Sequence, residues 1–235
     1  MCSSDLYFKI YNIPAALWGE VSENVIIAVH GNMSNKTDAP IRIMAENAAA
    51  NGYQVLSFDL AEHGGRKHEG ALCKVQNCVE DLKTVYNYAK LRYKNISVFG
   101  VSMGAYFSLL AYSGRNISRA WFLSPVTDMK HVIENMMGLF NITKERLKEN
   151  GEMETPIGQI LYWDYYCYVL SNPVEKWDVC TYILCGGNDD ICGVELIKEF
   201  ADAFGCRLDI INEAGHYFHS EKELECVDLW LKETM

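Results

Sequence analysis

Proline is scarce in this chain, with 5 among 235 residues. No run of proline, glycine or serine is long enough to act as a linker, and no internal repeat occurs. Separately folded halves would need such a linker, so one domain over residues 1–235 is expected. Basic side chains are also in deficit: 21 Lys and Arg face 31 Asp and Glu, a formal net charge of −10. A phosphate backbone is bound by a basic footprint, so nucleic acid is not the expected partner. Adsorption to an anionic membrane is disfavoured for the same reason. No apolar run approaches the ~20 residues of a membrane helix. Residues 1–10 lack the basic segment and apolar stretch of a secretory leader.

Cysteine is plentiful, but its patterns are missing. The nine thiols are odd in number and scattered, and no C-x-x-C pair occurs. Neither a disulfide framework nor a metal cluster is expected from such spacing. Cys180, Cys185 and Cys206 sit in or beside apolar runs and are expected to act as small core hydrophobes. A reducing, cytoplasmic location is the expected context.

What is present is an alternation of short apolar runs with longer amphipathic ones, in a chain that is 49% hydrophobic. Strands are expected at Leu6–Tyr11, Ala15–Trp18, Val25–His30, Gln54–Phe58, Ile96–Phe99, Arg119–Leu123, Thr181–Cys185 and Cys206–Ile211. Helices are expected at Ala39–Asn51, Val75–Tyr93, Met103–Tyr112, Val194–Phe204 and Glu221–Lys232. The run VIIAVH is continuously apolar, as a strand buried on both faces requires. The pattern predicts a mostly parallel sheet with helices on both faces. Ligands in such sheets bind beyond the carboxyl ends of the strands, so the loops after strands carry the chemistry.

The loop after Ile96–Phe99 reads Gly100-Val101-Ser102-Met103-Gly104 and runs straight into a helix. This is a G-x-S-x-G nucleophile elbow in strand–turn–helix context. The alternative is a glycine-rich turn with Ser102 capping the helix. A serine hydroxyl needs a base within hydrogen-bond reach. His216 follows the last strand and is the candidate; His219, three residues on, fits a surface helix start. The base must be oriented by an acid. Asp189 and Asp190 both follow the preceding strand; Asp189 is preferred and Asp190 stays open. The chain order Ser, Asp, His is the one this elbow accompanies. The N–H groups of Asn32 and Met103 are the candidate oxyanion donors. His30, at the end of its strand, is read as a brace for the Gly31-Asn32-Met33 loop.

Together these landmarks resemble the α/β-hydrolase superfamily over nearly the whole chain. Asp59-Leu60-Ala61-Glu62-His63-Gly64-Gly65-Arg66 is similar to its D-x-x-G-H-G-x-S loop, with Ala61-Glu62 in place of the usual Pro-Gly turn and Arg66 in place of Ser. The opening His30-Gly31-Asn32 with Asn35-Lys36 resembles serine esterases, monoglyceride lipases and serine aminopeptidase-like hydrolases. The resemblance implies an ester-cleaving enzyme that needs no metal or organic cofactor and takes a small-molecule ester. It also implies a cap or lid insertion at about 126–178, whose aromatic cluster of Tyr162, Trp163, Tyr165, Tyr166 and Tyr168 either lines a pocket or packs the cap onto the sheet. Thioesterase or peptidase chemistry on the same triad, and a catalytically silent binding protein, are the alternatives.

Overall fold

The computed structural model describes residues 6–235. Eight strands form one sheet. They are β1 (Leu6–Ile10), β2 (Ile13–Trp18), β3 (Asn24–Val29), β4 (Gln54–Phe58), β5 (Asn95–Val101), β6 (Ala120–Leu123), β9 (Thr181–Gly186) and β10 (Arg207–Ile211). Their order is β1-β2-β4-β3-β5-β6-β9-β10. The β1–β2 and β2–β4 pairs are antiparallel and the remaining pairs are parallel. From β3 the chain goes to β4 on one side and later to β5 on the other. That reversal opens a crevice at the carboxyl ends of β3 and β5, the usual ligand position of an open α/β sheet.

The apolar strands bury both faces because successive side chains point to opposite sides. On β3, Val25, Ile27 and Val29 join one apolar cluster while Ile26 and Ala28 join the other. The first cluster takes in α2 (Val75–Lys90), α3 (Met103–Tyr112) and α7 (Val194–Phe204). The second is covered by α1 (Ala39–Ala50) and α8 (Glu221–Thr234). Helix α3 is apolar nearly all round, and eight of its ten residues are buried. Such a helix is stable only with packing on every side. It packs against β3 and β5 of the sheet and against α2.

Between β6 and β9 the chain forms α4 (Met129–Leu139), α5 (Lys144–Asn150), a small hairpin of β7 (Glu152–Glu154) and β8 (Ile160–Tyr162), and α6 (Trp163–Ser171). None of these joins the main sheet. Tyr166 is 1% exposed and its hydroxyl donates to Glu134 Oε1 at 2.6 Å, which ties α6 to α4.

Three sequence readings need correcting. Helix α2 stops at Lys90 rather than Tyr93, because the N–H groups of Arg92 and Tyr93 both turn back to Ala89 O as the chain reverses toward β5. Cys180 is exposed and Cys206 half-buried, so of the three strand-associated thiols only Cys185 is a core residue. Cys180 lies just before β9, outside the sheet's cover. All eight described cysteines are free thiols.

Candidate active site

Ser102 sits at φ +52°, ψ −119°, between the end of β5 and the first residue of α3. L-residues avoid that region, and holding one there costs on the order of 1–3 kcal/mol. Two glycines make the turn possible. A Cβ on Gly100 would lie 2.7 Å from Ala105 Cα, and one on Gly104 would overlap the carbonyl oxygens of His30 and Val29. The serine backbone is pinned: its N–H donates to Leu123 O at 2.9 Å and its carbonyl accepts from Val126 N at 3.2 Å. Ser102 occupies the N-cap position of α3, yet its side chain makes no capping bond. Its Oγ instead lies 2.8 Å from His216 Nε2.

His216 Nδ1 lies 2.8 Å from Asp189 Oδ2. The other carboxylate oxygen accepts from Ile191 N at 3.1 Å and Cys192 N at 2.9 Å. Burial alone pushes the Asp189 carboxyl up; His216 and the two N–H groups outweigh it and hold the group below its ordinary value. Asp190, the neighbouring candidate, is exposed, and the His219 side chain is 81% exposed. The backbone here is also closely fitted. A Cβ on Gly187 would approach Asn212 O to 2.7 Å, so the loops bearing the carboxylate and the imidazole touch directly.

The loop after β3 lies over the serine: a Cβ on Gly31 would come within 3.3 Å of Ser102 Cβ. The Asn32 N–H has no acceptor among the described residues. Met103 opens α3, where N–H groups lack a carbonyl one turn back. The next N–H along the loop, that of Met33, is committed to His63 Nε2 at 3.1 Å. His30 braces the same loop. Its Nδ1 donates to Gly31 O at 2.7 Å and its Nε2 accepts from Leu60 N at 3.0 Å. Burial lowers the His30 pKa to about 4, so the ring is neutral.

Two contributors were not assigned from sequence. Sequence places His63 only in the D-x-x-G-H-G-x-S-like loop, but its ring holds the Met33 N–H and lies 3.2 Å from the Asn32 side-chain amide. Its Nδ1 donates to Ala61 O at 2.7 Å, which leaves the Nε2 lone pair free to accept. The histidine of the His63-Gly64 pair was the available signal. Backbone strain was the second. Met33, Glu62, Ser102 and Ser124 all have positive φ, and they follow β3, β4, β5 and β6 respectively. Four of the six non-glycine residues with positive φ among the described residues thus follow the central strands, Tyr11 and Asn141 being the other two.

Asp189, Cys192 and His216 bring ligand atoms within 4.8 Å of one another, the one such group among the described residues. Burial pushes the Cys192 thiol up, keeping it protonated, and the carboxylate and imidazole are already paired. The set is a poor metal site.

A family model described as "Serine aminopeptidase, S33" matches residues 21–159, well over half the chain. No curated protein sequence matches. Among solved structures, the chain is similar to Est1E from Butyrivibrio proteoclasticus with ferulic acid bound: 22% identity, 97% of this chain and 96% of that one, TM-score 0.79. It is similar to alpha/beta hydrolase domain-containing protein 10 from mouse at 15% identity, covering 98% of each chain, TM-score 0.77. It also resembles an esterase from Exiguobacterium antarcticum at 16% identity, covering 97% of this chain and 100% of that one, TM-score 0.64.

Proposed function

This chain belongs to the serine aminopeptidase S33 family of α/β hydrolases, and from that premise we propose that it is a serine hydrolase cleaving a small carboxylic ester through an acyl-enzyme. The observation that carries the reading is the relay of two 2.8 Å contacts, Ser102 Oγ to His216 Nε2 and His216 Nδ1 to Asp189 Oδ2. The ester carbonyl carbon meets Ser102 Oγ, with its oxygen toward the N–H groups of Asn32 and Met103. Each such donor is worth on the order of 3 kcal/mol in the transition state. His216 takes the serine proton, then gives it to the leaving alcohol. Asp189 stabilises the imidazolium without becoming protonated. A water deprotonated by His216 attacks the acyl carbon and releases the acid.

An aromatic acyl group is the favoured occupant. Est1E binds ferulic acid. In this chain Tyr106, one turn beyond Ser102 on α3, lies near Tyr165 and Tyr168 of α6. We read the segment 126–178 as a cap over that site. Acylglycerols are the second ester class, served by exposed apolar side chains at Met33 and Tyr217 beside the candidate donors and base. The family description keeps aminoacyl amides as a further substrate to test. The eight described cysteines, all free thiols, suit a reducing cytoplasm. The acidic net charge suits a small-molecule partner rather than nucleic acid. No described helix is long and apolar enough to cross a membrane.

The test is p-nitrophenyl acetate turnover by purified Ser102→Ala. A fall of several powers of ten is expected. Retained turnover rejects the assignment, and a panel of hydroxycinnamoyl esters, acylglycerols and aminoacyl amides ranks the substrate classes.

A further inference from the structure

We propose that Cys73 and Cys78 form a reversible dithiol–disulfide pair, a site modified by a peroxide, whose closure disturbs the loop that carries the candidate oxyanion donor Asn32.

The two sulfurs meet for a reason in the chain. Lys74 is the N-cap of α2, which puts Cys73 just before the cap and Cys78 on the fourth helical residue. Side chains at those two positions pack on each other across a helix start, as in a hydrophobic staple. Here both are thiols, with Sγ atoms 3.6 Å apart. Cys78 is buried and Cys73 half-buried, so a reagent from solvent reaches Cys73 first. The hydrogen bond from Cys78 lowers the Cys73 pKa to about 6, against burial, and the His63 ring beside it adds to the effect. The contact with Cys73, and burial after it, push the Cys78 thiol up. One sulfur is thus a half-buried thiol held toward its thiolate form and the other a protonated resolving thiol, an arrangement suited to redox chemistry.

The chemistry balances with a hydroperoxide as oxidant. The Cys73 thiolate attacks one peroxide oxygen; the O–O bond breaks, and the departing hydroxide takes a proton to leave as water. The Cys78 sulfur then attacks the sulfenic sulfur; its S–H proton leaves with the displaced hydroxide as a second water. Two thiols lose two electrons, and hydrogen peroxide becomes two waters.

A disulfide needs about 2.05 Å between sulfurs, so the pair must close by roughly 1.5 Å. Cys78 is locked in the buried face of α2, which leaves the segment at Cys73 to move. That segment is tied on both sides. The Cys73 N–H donates to Glu62 Oε2 at 2.6 Å, and Glu62 precedes the histidine that holds the Met33 N–H. Lys74 Nζ donates to both carboxylate oxygens of Asp164 at 2.9 Å, at the start of α6. Closure therefore pulls on the loop over Ser102 and on the insert together. Displacements of ~1 Å at such positions cost up to about 100-fold in rate.

The coupling to turnover rests on the hydrolase reading; the bond itself does not. The experiment treats the purified full chain with hydrogen peroxide, alkylates the remaining thiols and maps the peptides by mass spectrometry. A Cys73–Cys78 cross-link is expected, with kcat on p-nitrophenyl acetate lowered about tenfold and restored by dithiothreitol. Cys73→Ser and Cys78→Ser should keep basal turnover and lose the reversible response. No 73–78 bond in oxidised wild-type protein overturns the proposal. So does a mapped bond with unchanged kcat, or reversible inactivation that persists in both variants. Absence of turnover before oxidation counts against the hydrolase reading instead, and the mapped bond then decides the pair by itself.

Discussion

At the scale of single residues, the choice between two adjacent carboxylates turns on burial and bonding. Asp189 meets His216 at 2.8 Å and accepts two backbone N–H groups, whereas Asp190 is exposed. On the proposed serine-hydrolase reading, Asp189→Asn is expected to lower kcat by on the order of 10⁴, as loss of the orienting acid does in Ser-His-Asp triads. Asp190→Asn should leave most of it. Esterase assays on the two variants decide the matter, and the reverse ranking would move the acid role one position along. Ser102 carries the complementary cost. A glycine tolerates φ +52° freely, so Ser102→Gly should raise the unfolding free energy by about 1 kcal/mol while removing activity. Urea denaturation of the variant measures this; a lowered midpoint would show that the serine's contacts outweigh its strain.

At the scale of elements, the elbow depends on how closely α3 approaches β3. Gly104 has no room for a methyl group against the carbonyls of Val29 and His30. Gly104→Ala must push the start of α3 away from the strand, and a loss of roughly 3 kcal/mol or more is expected. Folded Gly104→Ala protein should also lose turnover, because the Met103 N–H moves with the helix. A thermal melt within one or two degrees of wild type would show that the backbone has slack not evident here. The G-x-S-x-G spacing and the following apolar run were legible in sequence because local sterics dictate both. The contact of Gly31 with Ser102 was not, because it joins loops some seventy positions apart.

At the scale of the whole molecule, buried histidine governs the response to acid. His30 titrates near pH 4 when folded and near 6.5 when unfolded. Between those values the unfolded chain binds a proton that the folded chain refuses, so stability rises with pH across this window and is lost on acidification. The loss is on the order of 3 kcal/mol by pH 4. The contribution of Asp189, whose carboxyl is held low, disappears only at still lower pH. Against burial, the bonds of His63 to Cys73 and Ala61 hold its pKa above the ordinary value, which offsets part of this loss. Urea midpoints measured from pH 7 to pH 4.5 should still fall, and a profile that is flat in His63→Gln as well would mean that position 30 is hydrated in the native state.

Outside the segment between β6 and β9, the order of strands and helices follows from sequence alone, as does the placing of Ser102, Asp189 and His216 on loops that follow strands: hydrophobic periodicity and turn chemistry are local properties of the chain. Sequence left Asp189 against Asp190 open and said nothing of how His63 meets the loop after β3. It also left the role of the insert's tyrosines undivided: Tyr166 locks α6 to α4, while Tyr165 lies near Cys73 and Tyr106. Those outcomes depend on which distant groups the folded sheet brings within hydrogen-bond reach and which it shields from water. Neither quantity exists until the chain has closed on itself.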